Sequence, residues 1–397
     1  MTKTITILSL LLLVLLAGCN SEEETEMKTI SFGAVVEGVQ TRAGQTGCMD
    51  DVELRKTGFG VFAYGMIGGD WSNQQLTYYE TSSPTDLGEV HVHPTGWSYG
   101  SSKDWTSSAF ISFYAYAPFV GTSGSDFSGG ATPGITTVTG DPSGPTVSYT
   151  VDTDPAQSVD LLWGVKGTTG LPWLNATLSN TGGNILFTFR HAVAAIGLHA
   201  QAMVDSTNDL TDLDDESRTW SNITITLKSV TITPQTNSFY GSGTLNLKNS
   251  TANTPAWTPG SRSITNLSLN SLSVNVPKNA NTQVVIPKSG GKEQFFMVIP
   301  DAAQDYAVSA TYDIAYKDLN GTDRTKTDVT GTATFSGLEL KGDTKYYLNL
   351  VIGLKTLNLS VSATDWNDVP VNLDIKVEKG TSASESLAPK RNLGFTN

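Results

Sequence analysis

The sequence predicts an all-β protein of two tandem β-sandwich domains, and three observations carry that prediction. Charged residues make up only 16% of the 397-residue chain, while glycine numbers 38, a balance that favours tight turns over solvated helical faces. Apolar residues recur with a period of two in short runs, the repeat of a strand with one buried face. Glycine, proline, asparagine and serine separate those runs, which fall into two blocks on either side of an acidic stretch. No repeat of fixed period runs along the chain, so neither a solenoid nor a propeller is expected.

The first forty-three residues contain three devices. Lys3 begins a positive segment, residues 5–16 form a leucine-rich apolar run, and Leu16-Ala17-Gly18-Cys19 closes it. An apolar run this short, ended by small residues, reads as an export signal (1–18) and not as a membrane span. The small residues let a peptidase reach the backbone, and Cys19 offers a thiol for acylation. Residues 20–26 are then too acidic to fold and read as a solvated tether. In 29–36, Ile30, Phe32, Ala34 and Val36 alternate with smaller or polar neighbours, as in a half-buried strand. Residues 41–47 are open, small and polar, which leaves Arg42 accessible to a trypsin-like protease.

The first block of strands begins at Phe59-Gly60-Val61-Phe62-Ala63-Tyr64 and continues with the aromatic-rich run 109–117, stopped by Pro118. Runs 146–151 and 160–164 follow. Residues 185–198 are the longest apolar run after the signal, read as mostly strand because Phe187, Phe189, His191, Val193 and Ala195 alternate. The acidic residues 205–217 mark the expected domain boundary, giving domains 43–205 and 206–380. The second block is cleaner. Runs 223–227, 230–232, 243–247, 295–299, 346–352 and 357–361 all read as strands, and Asn320-Gly321 is a hairpin signal between 306–316 and 325–335. The last run is the most regular: Val369, Val371, Leu373, Ile375 and Val377 alternate with polar residues, and Pro370 favours an edge position. A polar tail, 381–397, ends the chain.

Function classes are narrowed mainly by what is missing. A net charge of −13 repels nucleic-acid phosphates. With Cys19 acylated, Cys48 stands alone, so no intrachain disulfide is expected and Cys48 reads as a free thiol near the terminus. His91-Val92-His93 places two imidazoles on one strand face, without further ligands at metal spacing. His191 reads as a satisfied core residue. The acidic residues 209–216 lack the glycine and terminal glutamate of a calcium loop. Catalytic motifs are absent, so no enzyme, cofactor or metal is expected. The scattered tryptophans and tyrosines of 71–105 offer stacking faces for a sugar.

Several of these segments occur in an order that resembles the fimbrillins, the lipoprotein pilins of type V pili. They are the Leu16-Ala17-Gly18-Cys19 lipobox, Thr41-Arg42-Ala43, Gly60-Val61-Phe62-Ala63-Tyr64, 113–118, 160–164, 189–193 and the late run from Tyr347 to Trp366. The resemblance implies transthyretin-like sandwiches with Greek-key-type connections. It also implies a precursor lipidated (palmitate) on Cys19, anchored in the outer membrane and carried to the cell surface. Cleavage between Arg42 and Ala43 would then remove the strand of Ile30, Phe32, Ala34 and Val36. A neighbouring subunit's strand, with Val369, Val371, Leu373, Ile375 and Val377 as the candidate donor in 369–377, would fill the groove. The partners implied are other pilus subunits, a processing protease and a host or bacterial surface ligand. Two alternatives stand beside this: a tip or anchor subunit, because the tail 381–397 encumbers a donor strand, and a non-polymerising surface lipoprotein that binds a glycan or host ligand through 71–105.

Overall fold

The computed structural model describes residues 28–37, 48–67, 75–77, 89–92, 96–99, 104–105, 109–120, 134–141, 144–203, 223–278, 284–289, 292–354, 357–365, 371–372 and 377–378. Strands predominate among them and the helices are short, as the period-two patterning predicts.

The first sheet is built from the first block. It comprises β1 (Ser31–Val36), β2 (Phe59–Ile67), β3 (Gln75–Thr77), β4 (Glu89–Val92) and β5 (Ala109–Ala117). Two strands of a separate sheet intervene, β6 (Ile135–Thr139) and β7 (Thr146–Thr150), before β8 (Leu162–Lys166), β9 (Trp173–Ala176) and β10 (Asn184–His191) complete the first. The order across it is β1-β10-β8-β5-β2-β3, with β4 also on β2 and β9 also on β5. β1 is therefore an edge strand. It runs parallel to β10, while the other strand pairs of this sheet are antiparallel.

A short helix, α1 (Asp51–Thr57), sits between β1 and β2. Asp50 caps it by accepting from the Glu53 N–H at 2.8 Å, which satisfies one of the donors a helix start leaves free. Gly58 ends it at φ 66°, a conformation that carries no Cβ penalty in glycine. Its one buried residue, Leu54, faces the same core as β1.

Both faces of the first sheet are covered. Phe59, Val61, Ala63, Phe113, Phe187 and Phe189 form a core on one face with β1 and α1. Phe62, Tyr64, Tyr114, Tyr116 and Trp163 belong to the other core, shared with β6, β7 and the second half. Gly164 of β8 lies between its neighbouring strands β5 and β10. A Cβ there would meet Ala115 Cβ at 2.8 Å and Phe187 Cδ1 at 2.9 Å.

The run 185–198 divides into two strands. β10 ends at His191, and after Ala192 and Val193 the chain enters another sheet as β11 (Ala194–Ala202). That second sheet pairs β11 in parallel with β16 (Thr344–Ile352), which is antiparallel to β17 (Leu357–Asp365). A third sheet contains β12 (Thr224–Pro234), β14 (Asp301–Lys317) and β15 (Asp323–Leu340), the last two joined through the expected Asn320-Gly321 hairpin. A fourth pairs β13 (Ser242–Asn246) with β7. Strands from before and after residues 204–222 share sheets, and the changeover between the first and second sheets falls at Ala192–Val193.

Candidate assembly site

The site is the bed on which β1 lies. Ile30, Phe32, Ala34 and Val36 are all buried, whereas Ser31 and Val35 are exposed. Their alternation in sequence is therefore an alternation in space. The register with β10 runs from Ser31 beside Asn184 to Val36 beside Phe189. Phe32 occupies an aromatic pocket, 5.2 Å from Tyr99, 5.9 Å from Phe113 and 6.2 Å from Phe187 between ring centroids. Burying Ile30, Phe32 and Val36 supplies roughly 1.5–3 kcal/mol per side chain before ordering costs.

Backbone bonds hold the strand along its length. The Ser31 N–H donates to the Gly183 carbonyl at 3.0 Å and the Glu37 N–H to the Phe189 carbonyl at 2.8 Å. The Tyr99 hydroxyl donates to the Ile30 carbonyl at 2.6 Å, and the Val36 N–H donates to Asp51 Oδ1 at 2.7 Å. Without β1, the edge of β10 would present unpaired polar groups above an apolar trough, a template for another strand.

An ion network closes the downstream end. Arg190 on β10 pairs with Glu37 and, through Nη1 at 3.1 Å, with Asp343 Oδ2. Asp343 Oδ1 also accepts from the His191 N–H at 3.2 Å. Burial pushes the Asp343 carboxyl above the ordinary carboxylate range, while His191 and Arg190 act in the opposite direction. Next to it, His191 Nδ1 lies 2.8 Å from Asp160 Oδ2, which also accepts from the Met49 N–H at 2.8 Å. His191 is thus a paired core residue. Cys48 is a free thiol, as expected, and it is buried, which pushes its thiol well above the ordinary range. Such a group is a poor nucleophile.

The chain is anchored at Glu37 on one side and at Cys48–Met49 on the other. Arg42 and Ala43, the expected cleavage junction, lie between these anchors and outside the described residues, as does Cys19. Of the candidate donor strand, Val369, Leu373 and Ile375 are outside the described residues. Val371 and Val377 are described as backbone: Val371–Asn372 pairs with β17 and Val377–Glu378 with β15. The segment therefore bridges two sheets of its own chain.

The aromatic residues described within 71–105 turn inward. Trp105 is buried, Tyr99 meets Phe32, and Trp97 packs 5.2 Å from Phe59. His93 and the acidic cluster are outside the described residues, and of His91 only the backbone is described. Among the described residues, no three His, Cys, Asp or Glu side chains gather in a way that could hold a metal. Sequence reasoning missed Tyr99, Glu37, Arg190, Asp160 and Asp343. Each acts through a contact with a residue distant in sequence, and only the oddity of a charged Arg190 within an apolar run hinted at one of them.

The fold has a counterpart among solved structures. A fimbrial protein from Bacteroides vulgatus superposes with a TM-score of 0.57 at 19% identity, covering 89% of this chain and 100% of that one. A "putative cell adhesion protein" from Bacteroides uniformis aligns at 15% identity over 85% of this chain and 99% of that one, with a TM-score of 0.38. At such identities the first likeness shows a shared fold. No family model matches the sequence, and no curated protein does.

Proposed function

We propose that this chain is a structural subunit of a cell-surface pilus. It is exported as a lipoprotein through Cys19, cleaved between Arg42 and Ala43, and polymerised by donor-strand exchange in support of adhesion. One observation carries the reading: β1 is a fully seated edge strand whose link to the rest of the chain runs through the segment containing Arg42. An edge strand held by its own apolar face and a few backbone bonds can leave once that link is cut. The shared fold with a fimbrial protein supports the same reading.

The test is controlled cleavage of the purified precursor. Mass spectrometry is expected to give a mature chain that begins at Ala43, and the product is expected to form polymers that resist mild detergent. An Arg42→Ala precursor should stay monomeric. A cleanly cleaved chain that remains monomeric overturns the proposal.

A further inference from the structure

We propose that the β1 groove selects its occupant by charge as well as by apolar pattern, with Arg190 reading an acidic residue. On this basis residues 371–378 of a second copy dock in one register, Val371 at the place of Ile30 and Glu378 at the place of Glu37. This rests on the strand-exchange reading above and specifies its partner strand.

The groove imposes a template. Positions 30, 32, 34 and 36 are buried, 31 and 35 are exposed, and position 37 faces Arg190, whose side chain is only 12% exposed. Laid parallel to β10, Val371, Leu373, Ile375 and Val377 fill the four buried positions. Asn372, Asp374 and Lys376 then fall on the outer positions, and Glu378 meets Arg190. Leu373 is smaller than Phe32 and Ile375 larger than Ala34. These are neighbouring positions on one face, so the space that Leu373 leaves at 32 takes up part of the larger Ile375 at 34, and the pocket must yield for the rest. Asp374 falls at Gly33, where an added Cβ would meet only the tip of Leu186 at 3.0 Å. Leu186 is exposed and its side chain can turn aside.

Other parallel placements fail on named groups. Sliding the donor so that Val369 replaces Ile30 puts Pro370 at position 31, whose N–H bonds the Gly183 carbonyl. Proline has no such donor, and the same slide sets Lys376 against Arg190. Sliding the other way buries Lys379 at the place of Val36. A one-residue slip turns the polar face into the core. Reversing the strand puts Pro370 or Asp368 beside Arg190 depending on register, so cross-linking decides its direction. Among the parallel placements, one register satisfies both the core and the charge.

The experiment uses the full chain, cleaved to begin at Ala43. Val35 lies opposite Thr188, so the proposed register sets Lys376 of one copy opposite Thr188 of the next. Polymers of a Thr188→Cys, Lys376→Cys chain should form a disulfide-linked ladder on oxidation, and those of a Thr188→Cys, Asp374→Cys chain should not. Cys48 is buried and stays out of the reaction. Glu378→Lys should slow assembly at least about tenfold at low salt, with the deficit shrinking as salt screens the charges. Cross-linking through residue 374 in place of 376, or undiminished assembly of Glu378→Lys at low salt, overturns the proposal while leaving strand exchange intact. If the cleaved wild-type chain does not polymerise, the pilus reading falls, and this inference with it.

Discussion

Phe32 lies stacked on Phe187, with ring centroids 6.2 Å apart and planes inclined by 19°. Phe32 belongs to β1 and Phe187 to the strand beside it, so the contact joins the edge strand to the body of the first sheet. Phe187 in turn meets Phe59 at 6.0 Å and Phe189 at 6.0 Å. β1 is thus packed into an aromatic cluster whose other members lie on β2 and β10.

Phe32→Ala in the uncleaved precursor should cost about 3–5 kcal/mol, because it empties the centre of that cluster. Denaturant titration measures the loss. Val35→Ala is the control: Val35 is 42% exposed, and its truncation should stay within about 0.5 kcal/mol. Equal losses at the two positions would contradict the alternation on which the site rests.

Tyr99→Phe removes the hydroxyl that donates to the Ile30 carbonyl at 2.6 Å but keeps the ring against Phe32. The expected cost is about 1 kcal/mol. It should appear as faster hydrogen exchange in β1, with the strands of the second sheet unaffected. Exchange that is unchanged in β1 would show that the bond does not restrain the strand.

Asp160→Ala should destabilise the chain by about 3 kcal/mol, since it leaves both the His191 ring and the Met49 N–H without a buried acceptor. Asp160→Asn keeps an acceptor and should lose less. The order of the two variants in chemical denaturation checks the assignment.

The β14–β15 turn should respond to acid. Hydrogen bonds from the Thr322 N–H and Arg324 hold the Asp318 carboxyl below its ordinary range. The folded group therefore binds its proton more weakly than the unfolded one. The stability it contributes is fully present above the ordinary carboxylate range and is lost as pH falls through the depressed folded value. Melting curves from neutral to strongly acidic pH should show this loss in the wild type. Asp318→Asn should flatten it, and a profile unaffected by that substitution would contradict the assignment.

Much of this architecture was legible locally. The alternation of Ile30, Phe32, Ala34 and Val36 names the buried face of β1, because the side chains of a strand must alternate whatever lies beside it. Asn320-Gly321 names a hairpin because few dipeptides adopt that turn. The run 185–198 shows where such reading stops. It is apolar throughout, yet it supplies strands to two sheets, with the break at Ala192–Val193. A residue buried in one sheet has the same composition as one buried in another.

The sequence by itself determined the strand class and, in 30–36, the face that the first strand buries. Period, polarity and turn chemistry are local properties, and a chain carries them before it folds. Only the tertiary structure decided that β1 lies parallel to β10 at a sheet edge, that Tyr99 closes over it, and that Arg190 joins Glu37 to Asp343. Those relationships link residues 69 to 153 positions apart in the chain. No periodicity spans such distances, and they exist only once packing has brought the partners together.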